Sequence, residues 1–397
     1  MSHLEESGYI CPACGSSDIR PFYEAPGAPV NSVLLVPTRE QAASFATGDI
    51  RLGFCATCGF IYNTCFNPRL VEYSSRCEET QGFSPFFKQW HEGLARRLVD
   101  RYSLYRKKII EIGCGKGEFL ALLCDLGENR GVGFDPAYVS GRIVPGAARS
   151  IQFIPEFYSE TSDALDGDFL CCKMTLEHIP DVHKFVAMVH QSLQDSPDTT
   201  VFFQVPTASR ILAENAFWDI YYEHCSYFNV TSLAGAFRRA GFDVLDVGTE
   251  YLDQYITLEA RVTSKTSTFR SSIEDHLSQL KSLVNSFANR APECIAEWRR
   301  RLEEYRSRGL KTVVWGAGSK GVTFLSVLNV PGSVEYVVDI NPNMSKHYLV
   351  KTGIEIVSPP VLRDYRPDVV IVMNPIYRDE IIVNLASYGL TPEVIST

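Results

Sequence analysis

The apolar run Lys108–Ile112 ends at three glycines in five positions, Gly113-Cys-Gly-Lys-Gly117, and a helical pattern begins at once over 117–126. A strand that turns on glycine straight into a helix is the opening of a crossover unit, and crossover units build parallel sheets. Further apolar runs follow at 131–134, 169–172, 201–205, 242–247 and 255–262, several of them separated by helical segments such as 182–193. The alternation predicts an α/β fold with a doubly wound, mainly parallel sheet. Just before it, Phe87, Trp90, Leu94 and Leu98 recur at helical spacing.

Two other pieces flank this unit. Residues 1–75 are rich in turn formers and Cys, and their short apolar runs at 33–36 and 60–62 are too few to close a core unaided. On the other side, 266–309 is a charge-rich tract. There Leu277, Leu280, Leu283 and Val284, then Ile295, Trp298, Leu302 and Tyr305, recur at helical spacing on either side of Pro292, which predicts two connecting helices. After Gly309, apolar runs at 312–315, 334–340 and 369–373 predict a second α/β unit. The expected organisation is therefore 1–75, 76–265 and 266–397.

What staples the first piece is written in its cysteines. Cys11-Pro-Ala-Cys14 and Cys55-Ala-Thr-Cys58 are two CxxC knuckles with 40 residues between them, and two knuckles close a tetrahedron of thiolates around Zn²⁺. Metal binding supplies the folding free energy that a core-poor segment lacks. A structural site is expected, since four thiolates leave no open position for chemistry; redox thiols or a nucleic-acid finger are the other uses of this spacing. The remaining eight cysteines have no such partner and read as buried thiols. The balance of 38 Lys and Arg against 47 Asp and Glu gives a net charge of −9, which argues against nucleic acid as the main partner. No apolar stretch is long enough to span a membrane and no export signal precedes the first knuckle, so a cytoplasmic protein is expected.

The glycine turn has a partner. Asp135 ends the next strand, 20 residues beyond Gly115, where a carboxylate can accept both hydroxyls of a ribose. A dinucleotide site would show GxGxxG and place a diphosphate on the helix N-terminus. Here Glu111 stands inside the strand, and acidic groups suit a cationic ligand without phosphate. The run Glu111-Ile-Gly-Cys-Gly-Lys-Gly117 with Asp135 resembles the S-adenosylmethionine signature of class I methyltransferases. That resemblance implies Gly113, Gly115 and Gly117 around the amino-acid part of the donor, Asp135 on its ribose, and Lys173 and Met174 near the sulfonium.

Two histidines follow strands at their carboxyl ends, where ligands sit in such sheets. His178 lies in Leu176-Glu-His-Ile-Pro180, and could serve as a base or orient its loop. Tyr221-Tyr222-Glu223-His224-Cys-Ser-Tyr-Phe228 crowds a base, a carboxylate and phenols into eight residues. Glu223 and His224 are adjacent, so either an irregular turn brings both to one ligand or one serves the substrate while the other anchors the loop, and the cluster also reads as substrate wall or packing.

Taken in order, CxxC…CxxC, the glycine motif, Leu-Glu-His-Ile-Pro, Tyr-Tyr-Glu-His and a closing Val-Val-Trp-Gly-Ala-Gly-Ser-Lys-Gly321 resemble the three-domain sugar-nucleotide C-methyltransferases, which methylate carbon 3 of a 4-keto deoxysugar. The resemblance implies a zinc-bearing N-terminal domain, a donor domain and a C-terminal Rossmann-like domain, with a nucleotide-linked sugar in the cleft between them. It also implies His224 as the base beside the ketone, assisted by Tyr221 or Tyr222, Glu223 and His178. The family has a tyrosine shortly before its first methyltransferase helix. Here Tyr73 stands too early, which leaves Cys77 or Phe83 in the matching place, while Glu78, Glu79 and Gln81 add polar groups at the mouth or serve as caps.

The closing motif is a full GxGxxG, with Asp339 18 residues after Gly321. Its readings are a diphosphate subsite on Gly316, Gly318 and Lys320, a structural turn over the cleft, or a dinucleotide site. Asn374 and Arg378 follow the last apolar run as a second edge, Arg378 either pairing with phosphate or remaining a loop cation. The expected activity is C-methylation of a small keto-sugar nucleotide. An O- or N-methyltransferase of a sugar or natural product, and a non-catalytic zinc-containing binding protein, are the alternatives.

Overall fold

A computed structural model describes residues 8–142, 150–159, 167–262 and 277–397. It contains sheets of four, seven and five strands. The first is antiparallel: β1 (Ile19–Pro29), β2 (Thr47–Cys55) and β3 (Ile61–Asn63), following in space the order β1-β2-β3. A helical turn, α1 (Arg39–Ala43), lies between β1 and β2. The short apolar run at 33–36 is a loop that touches Cys77 through Leu34. The long strand is instead the proline-rich β1, whose register shifts between Pro21 and Tyr23 and between Ala25 and Ala28. Prolines sit at an edge strand and its bulges because no ladder N–H is asked of them there.

The central unit begins with α2 (Pro85–Tyr102), capped by Ser84, whose hydroxyl accepts from Phe87 N–H at 3.2 Å. Then come β4 (Lys108–Ile112), α3 (Glu118–Gly127), β5 (Arg130–Phe134), β6 (Ile151–Ile154), β7 (Phe169–Lys173), α4 (Val182–Ser192), β8 (Thr200–Pro206), α5 (Ala208–Glu214), β9 (Ser226–Tyr227), α6 (Val230–Arg239), β10 (Phe242–Glu250) and β11 (Tyr255–Val262). The seven-stranded sheet runs β10-β11-β8-β7-β4-β5-β6, with β11 antiparallel to both its neighbours and the rest parallel. The strand order reverses between β4 and β7, so the crevice for a ligand opens above their carboxyl ends. The edge strand β6 has no sequence counterpart in the reading above, because four residues with Gln152 among them give too short an apolar signal. The two-residue β9 pairs with β3 and completes the N-terminal sheet.

Beyond residue 276 a single helix, α7 (Leu277–Ser307), replaces the two connecting helices expected around Pro292; the 266–276 part of that tract lies outside the described residues. Pro292 is tolerated because it faces solvent, where the Ala288 carbonyl that loses its partner can meet water. On the other face one apolar stripe, Leu280, Val284, Phe287, Ala291, Trp298, Leu302 and Tyr305, runs through the whole helix. The rest is β12 (Thr312–Trp315), α8 (Ser319–Leu328), β13 (Tyr336–Val338), β14 (Glu355–Val357), α9 (Leu362–Tyr365), β15 (Val369–Val372), α10 (Arg378–Ser387) and β16 (Glu393–Ser396), a parallel sheet of order β14-β13-β12-β15-β16.

The N-terminal sheet does not depend on its own residues for a core. Val30, Ile50, Leu52, Phe54 and Ile61 share one buried cluster with Phe217 and Trp218, with Phe287 and Trp298 of α7, and with Phe324 of α8. Edge-on contacts of Tyr23 with Phe287 (5.3 Å) and of Trp298 with Phe324 (5.1 Å) carry the stripe from one unit to the next.

Candidate active site and metal centre

A cavity of about 950 Å³ opens at the sheet's switch point and is walled by all three units. Its floor is the glycine turn. Gly113, Gly115 and Gly117 have φ of 68°, 55° and 84°, a region in which a side chain is strained. A Cβ on Gly113 would lie 1.9 Å from Thr175 Oγ1, so the turn packs directly on the loop after β7. Asp135 fixes the turn from the next strand: its Oδ2 accepts from Gly115 N–H at 2.8 Å and its Oδ1 from Ala137 N–H at 2.7 Å.

The chemistry around this floor is acidic. Glu111 is 2% exposed with Oε2 unpartnered, and burial pushes its carboxyl up to about 8 against the pull of Lys173. Glu79, raised by burial to about 7, reaches Gly115 and sits 3.6 Å from Lys116. Thr80 donates to both oxygens of Glu118 at 2.7 Å. Carboxylates around bare glycine backbone, one of them with an orphaned oxygen, fit a donor that carries a sulfonium and an ammonium and no phosphate. Lys173 is not opposed to that. Its ammonium is drawn aside, donating to His91 Nε2 at 2.8 Å and lying over the Phe119 ring at 3.9 Å, and burial lowers it to about 8. Met174, at φ 51°, lines the cavity beside it.

Opposite the floor, residues 221–225 form an irregular turn that points adjacent side chains to different places. Tyr221, Glu223 and His224 face the cavity. Tyr222 does not: it is 1% exposed, packs on Phe66, and accepts from Asn67 N–H at 2.9 Å, so it braces the N-terminal unit. Glu223 Oε1 accepts from Ser32 N–H at 2.9 Å and from the Ser32 hydroxyl, and burial raises its carboxyl to about 7. Tyr221 donates to Asp219 Oδ1 at 2.6 Å, and Asp219 also holds the Lys320 ammonium. Burial, then the neighbouring His178 and Lys320, hold His224 well below its usual range, so it is neutral. Its ring meets His178 edge-on at 4.8 Å.

His178 Nδ1 lies 3.0 Å from the Glu223 carbonyl and 3.0 Å from the Tyr73 hydroxyl. A carbonyl only accepts, so Nδ1 carries the hydrogen and Nε2 keeps a lone pair toward the cavity. Tyr73 thus stands in the cavity wall beside His178 although it lies well before α2 in the chain. Cys77, packed on Leu34 and Ala137, and the partly exposed Phe83 also line the cavity. Tyr73 was hidden by its distance from α2, a matter of loop path that no local pattern encodes. Ser32 and Asp219 reach the site by loop paths of the same kind, whereas His91 lies on α2 and reaches Lys173 through the packing of that helix.

The C-terminal turn repeats the floor. Ala317 N–H donates to Asp339 Oδ2 and Asn341 N–H to its Oδ1, both at 2.8 Å, just as Gly115 and Ala137 do to Asp135. Gly316, Gly318 and Lys320 line the cavity from this side. Asn374 does so with both ends of its amide paired to Gln254, at 3.0 and 3.1 Å, and so seals the seam between β11 and the C-terminal unit. Arg378 is not brought to the cavity: at the start of α10 it projects into solvent, 3.9 Å from Asp379.

The four knuckle cysteines converge. Cys11 and Cys58 sulfurs are 3.7 Å apart, as are those of Cys14 and Cys55, and all four lie within 4.8 Å of one another. Four thiolates at about 2.3 Å from a tetrahedral zinc stand about 3.8 Å apart, so the donor set and its spacing fit that ion. The knuckles dock on the central unit: Arg239 donates to the Ala13 carbonyl at 3.0 Å and Asn229 to the Gly59 carbonyl at 2.6 Å.

Residues 87–247 match the methyltransferase domain family, and residues 253–391 match the C-methyltransferase C-terminal domain family. C-methyltransferase NovU of Streptomyces niveus is 27% identical over 293 residues, covering 70% of this chain and 68% of that protein. Among solved structures, the 1,6-didemethyltoxoflavin-N1-methyltransferase of Burkholderia thailandensis with bound S-adenosylhomocysteine is similar at 19% identity and a TM-score of 0.37, over 46% of this chain and 83% of that one. Magnesium protoporphyrin IX methyltransferase from Synechocystis PCC 6803 is similar at 16% identity and a TM-score of 0.34, over 45% and 84%. Among the described residues, no helix is long and apolar enough to cross a membrane.

Proposed function

From the premise that this chain is a class I S-adenosylmethionine-dependent methyltransferase carrying a C-methyltransferase C-terminal domain, we infer that it methylates a carbon next to the ketone of a small, nucleotide-linked keto sugar. The observation that carries the reading is one cavity with three kinds of wall: an acidic glycine floor, the Tyr73, His178, Tyr221, Glu223 and His224 group opposite, and the Gly316–Lys320 turn at the far side.

When bound on Glu111, Gly113, Gly115, Gly117 and Asp135, S-adenosylmethionine supplies an electrophilic methyl group on sulfur. His224 is neutral and removes the hydrogen beside the ketone, which makes that carbon a nucleophile. The charge that develops on the ketone oxygen needs donors already in place. Tyr73 answers that need, because His178 Nδ1–H points at its oxygen and leaves its own hydroxyl hydrogen for the cavity. Tyr221 spends its own hydrogen on Asp219 and packs edge-on against His224, so it walls the pocket beside the base. Glu223, tied to Ser32, fixes the turn that carries His224. The free N–H groups at the start of α8 and the Lys320 ammonium take the diphosphate. The four cysteines hold a structural zinc away from these steps.

The test is turnover of nucleotide-linked 4-keto deoxysugars with the methyl donor, with the product read by carbon and proton NMR. A new carbon-bound methyl, together with deuterium uptake at that carbon in donor-free heavy water, is the expected result. A methyl on oxygen or nitrogen would replace this reading with O- or N-methylation.

A further inference from the structure

One buried carboxylate in the cavity wall has no task in that chemistry. Glu177 is 1% exposed, it lines the cavity, and neither of its oxygens has a hydrogen-bond partner among the described residues. Burial pushes its carboxyl up to about 8, so the charged form is satisfied only by a cation and otherwise the group keeps a proton. Two imidazoles stand ready to share the cation. Single ligand atoms from Glu177, His178 and His224 all lie within 4.8 Å of one another.

The arrangement has the features of a built metal site. Ligand atoms around a tetrahedral ion at about 2.05 Å stand about 3.3 Å apart, so closure asks at most about 1.5 Å, within the reach of side-chain rotation. His178 is oriented from behind: Nδ1–H is spent on the Glu223 carbonyl and the Tyr73 oxygen, which leaves the lone pair on Nε2, the usual outer arrangement of a metal-binding histidine. Two imidazoles and a carboxylate are a borderline donor set that suits Zn²⁺ and leaves a fourth position open.

We propose that Glu177, His178 and His224 form a second site for a divalent transition cation, separate from the four-cysteine centre, and that filling it switches the enzyme off. The cation takes the lone pair of His224 that would accept the substrate's hydrogen. The binding half of the proposal stands on the three ligands alone; the inhibitory half rests on His224 being the base.

The experiment uses the full chain with its first zinc in place. Zn²⁺ uptake is counted by equilibrium dialysis, and loss of the substrate's C–H in heavy water is followed at rising free Zn²⁺. The wild type is expected to take one further equivalent, and the exchange rate to fall in step with it and return on chelation. Glu177→Gln and His178→Asn should each weaken the second equivalent by 10-fold or more while keeping the first zinc and the affinity for S-adenosylhomocysteine, which certifies their fold. Absence of a second equivalent in the wild type, or an unchanged one in both variants, overturns the proposal. Full exchange at full occupancy overturns the inhibitory half. Absent exchange before any zinc is added counts against His224 as base and leaves the metal site standing on the dialysis result.

Discussion

The Tyr73 hydroxyl stands 3.0 Å from Nδ1 of His178, joining residues 105 positions apart across the wall of the cavity. Since His178 supplies the hydrogen in that contact, the phenol keeps its own for a substrate oxygen. Tyr73→Phe is therefore expected to cut kcat about 10²-fold or more, the usual effect of losing one donor to a developing oxyanion. The affinity for S-adenosylhomocysteine, measured by calorimetry, should stay unchanged because the Tyr73 hydroxyl is paired with His178 and not with the glycine floor. A variant with normal kcat would remove Tyr73 from the reaction.

Gly113→Ala tests the floor. Its Cβ would stand 1.9 Å from Thr175 Oγ1 and 2.8 Å from Thr175 Cβ, and its φ of 68° is one that alanine resists. Thr175 is β-branched and stiff, so the clash is relieved only by moving the loop after β7. Calorimetry should show S-adenosylhomocysteine binding weakened at least about 10-fold, corresponding to roughly 1.4 kcal/mol or more.

What the sequence disclosed and what it hid divide by range. The Gly113–Gly117 turn, its Asp135 and the two knuckles are short patterns in which each residue answers a local need for backbone freedom or a ligand, so they are legible without a fold. The α/β alternation is legible for the same reason. Tyr73, Ser32 and Asp219 reach the site over separations of 105, 191 and 101 residues, along loops whose path is set by packing. Pro292 misled because a breaker in isolation is harmless on the wet face of a helix whose stripe is anchored in two other units. Tyr222 misled because adjacent residues in an irregular turn diverge, and nothing in Tyr-Tyr-Glu-His says which phenol turns inward.

Loss of a metal ion from the four cysteines should be felt at the turn that carries His224 as well as in the N-terminal unit. Phe60, two residues after Cys58, packs on Phe228 at 5.2 Å, and the Gly59 carbonyl caps Asn229, so the second knuckle supports the chain that follows His224. Cys58→Ser is expected to lose one equivalent of zinc, lower Tm and reduce kcat together. Metal analysis and calorimetry on the same sample check this. Full zinc content in the variant would show that Cys58 is no ligand.

His91 sets part of the acid limit of stability. Burial, and then the neighbouring Lys173 charge, lower it to about 2, so the folded protein holds it neutral while the unfolded chain takes a proton near pH 6.5. The unfolded state binds more protons below that point, hence stability is full above about pH 6.5 and drains as pH falls, at about 1.4 kcal/mol per unit. His91→Gln keeps an acceptor for Lys173 and has nothing to titrate. Urea unfolding at pH 7 and pH 5 should show the wild type losing about 2 kcal/mol more than the variant. Equal losses would mean His91 is protonated in the fold.

A Lys320 variant separates the proposed diphosphate binding from the proposed catalysis. Lys320 is held by Asp219, which also takes the Tyr221 hydroxyl, so the C-terminal turn and the Tyr221 phenol share one carboxylate. Lys320→Met removes a charge-assisted donor worth about 1.5–3 kcal/mol to a phosphate. KM for the nucleotide-linked sugar should therefore rise about 10- to 100-fold. Asp219 keeps Tyr221 in the variant, so kcat should fall much less, and S-adenosylhomocysteine affinity should not move. The opposite split, a collapsed kcat at unchanged KM, would mean that Lys320 acts through Asp219 on Tyr221 and that the diphosphate lies elsewhere in the cavity.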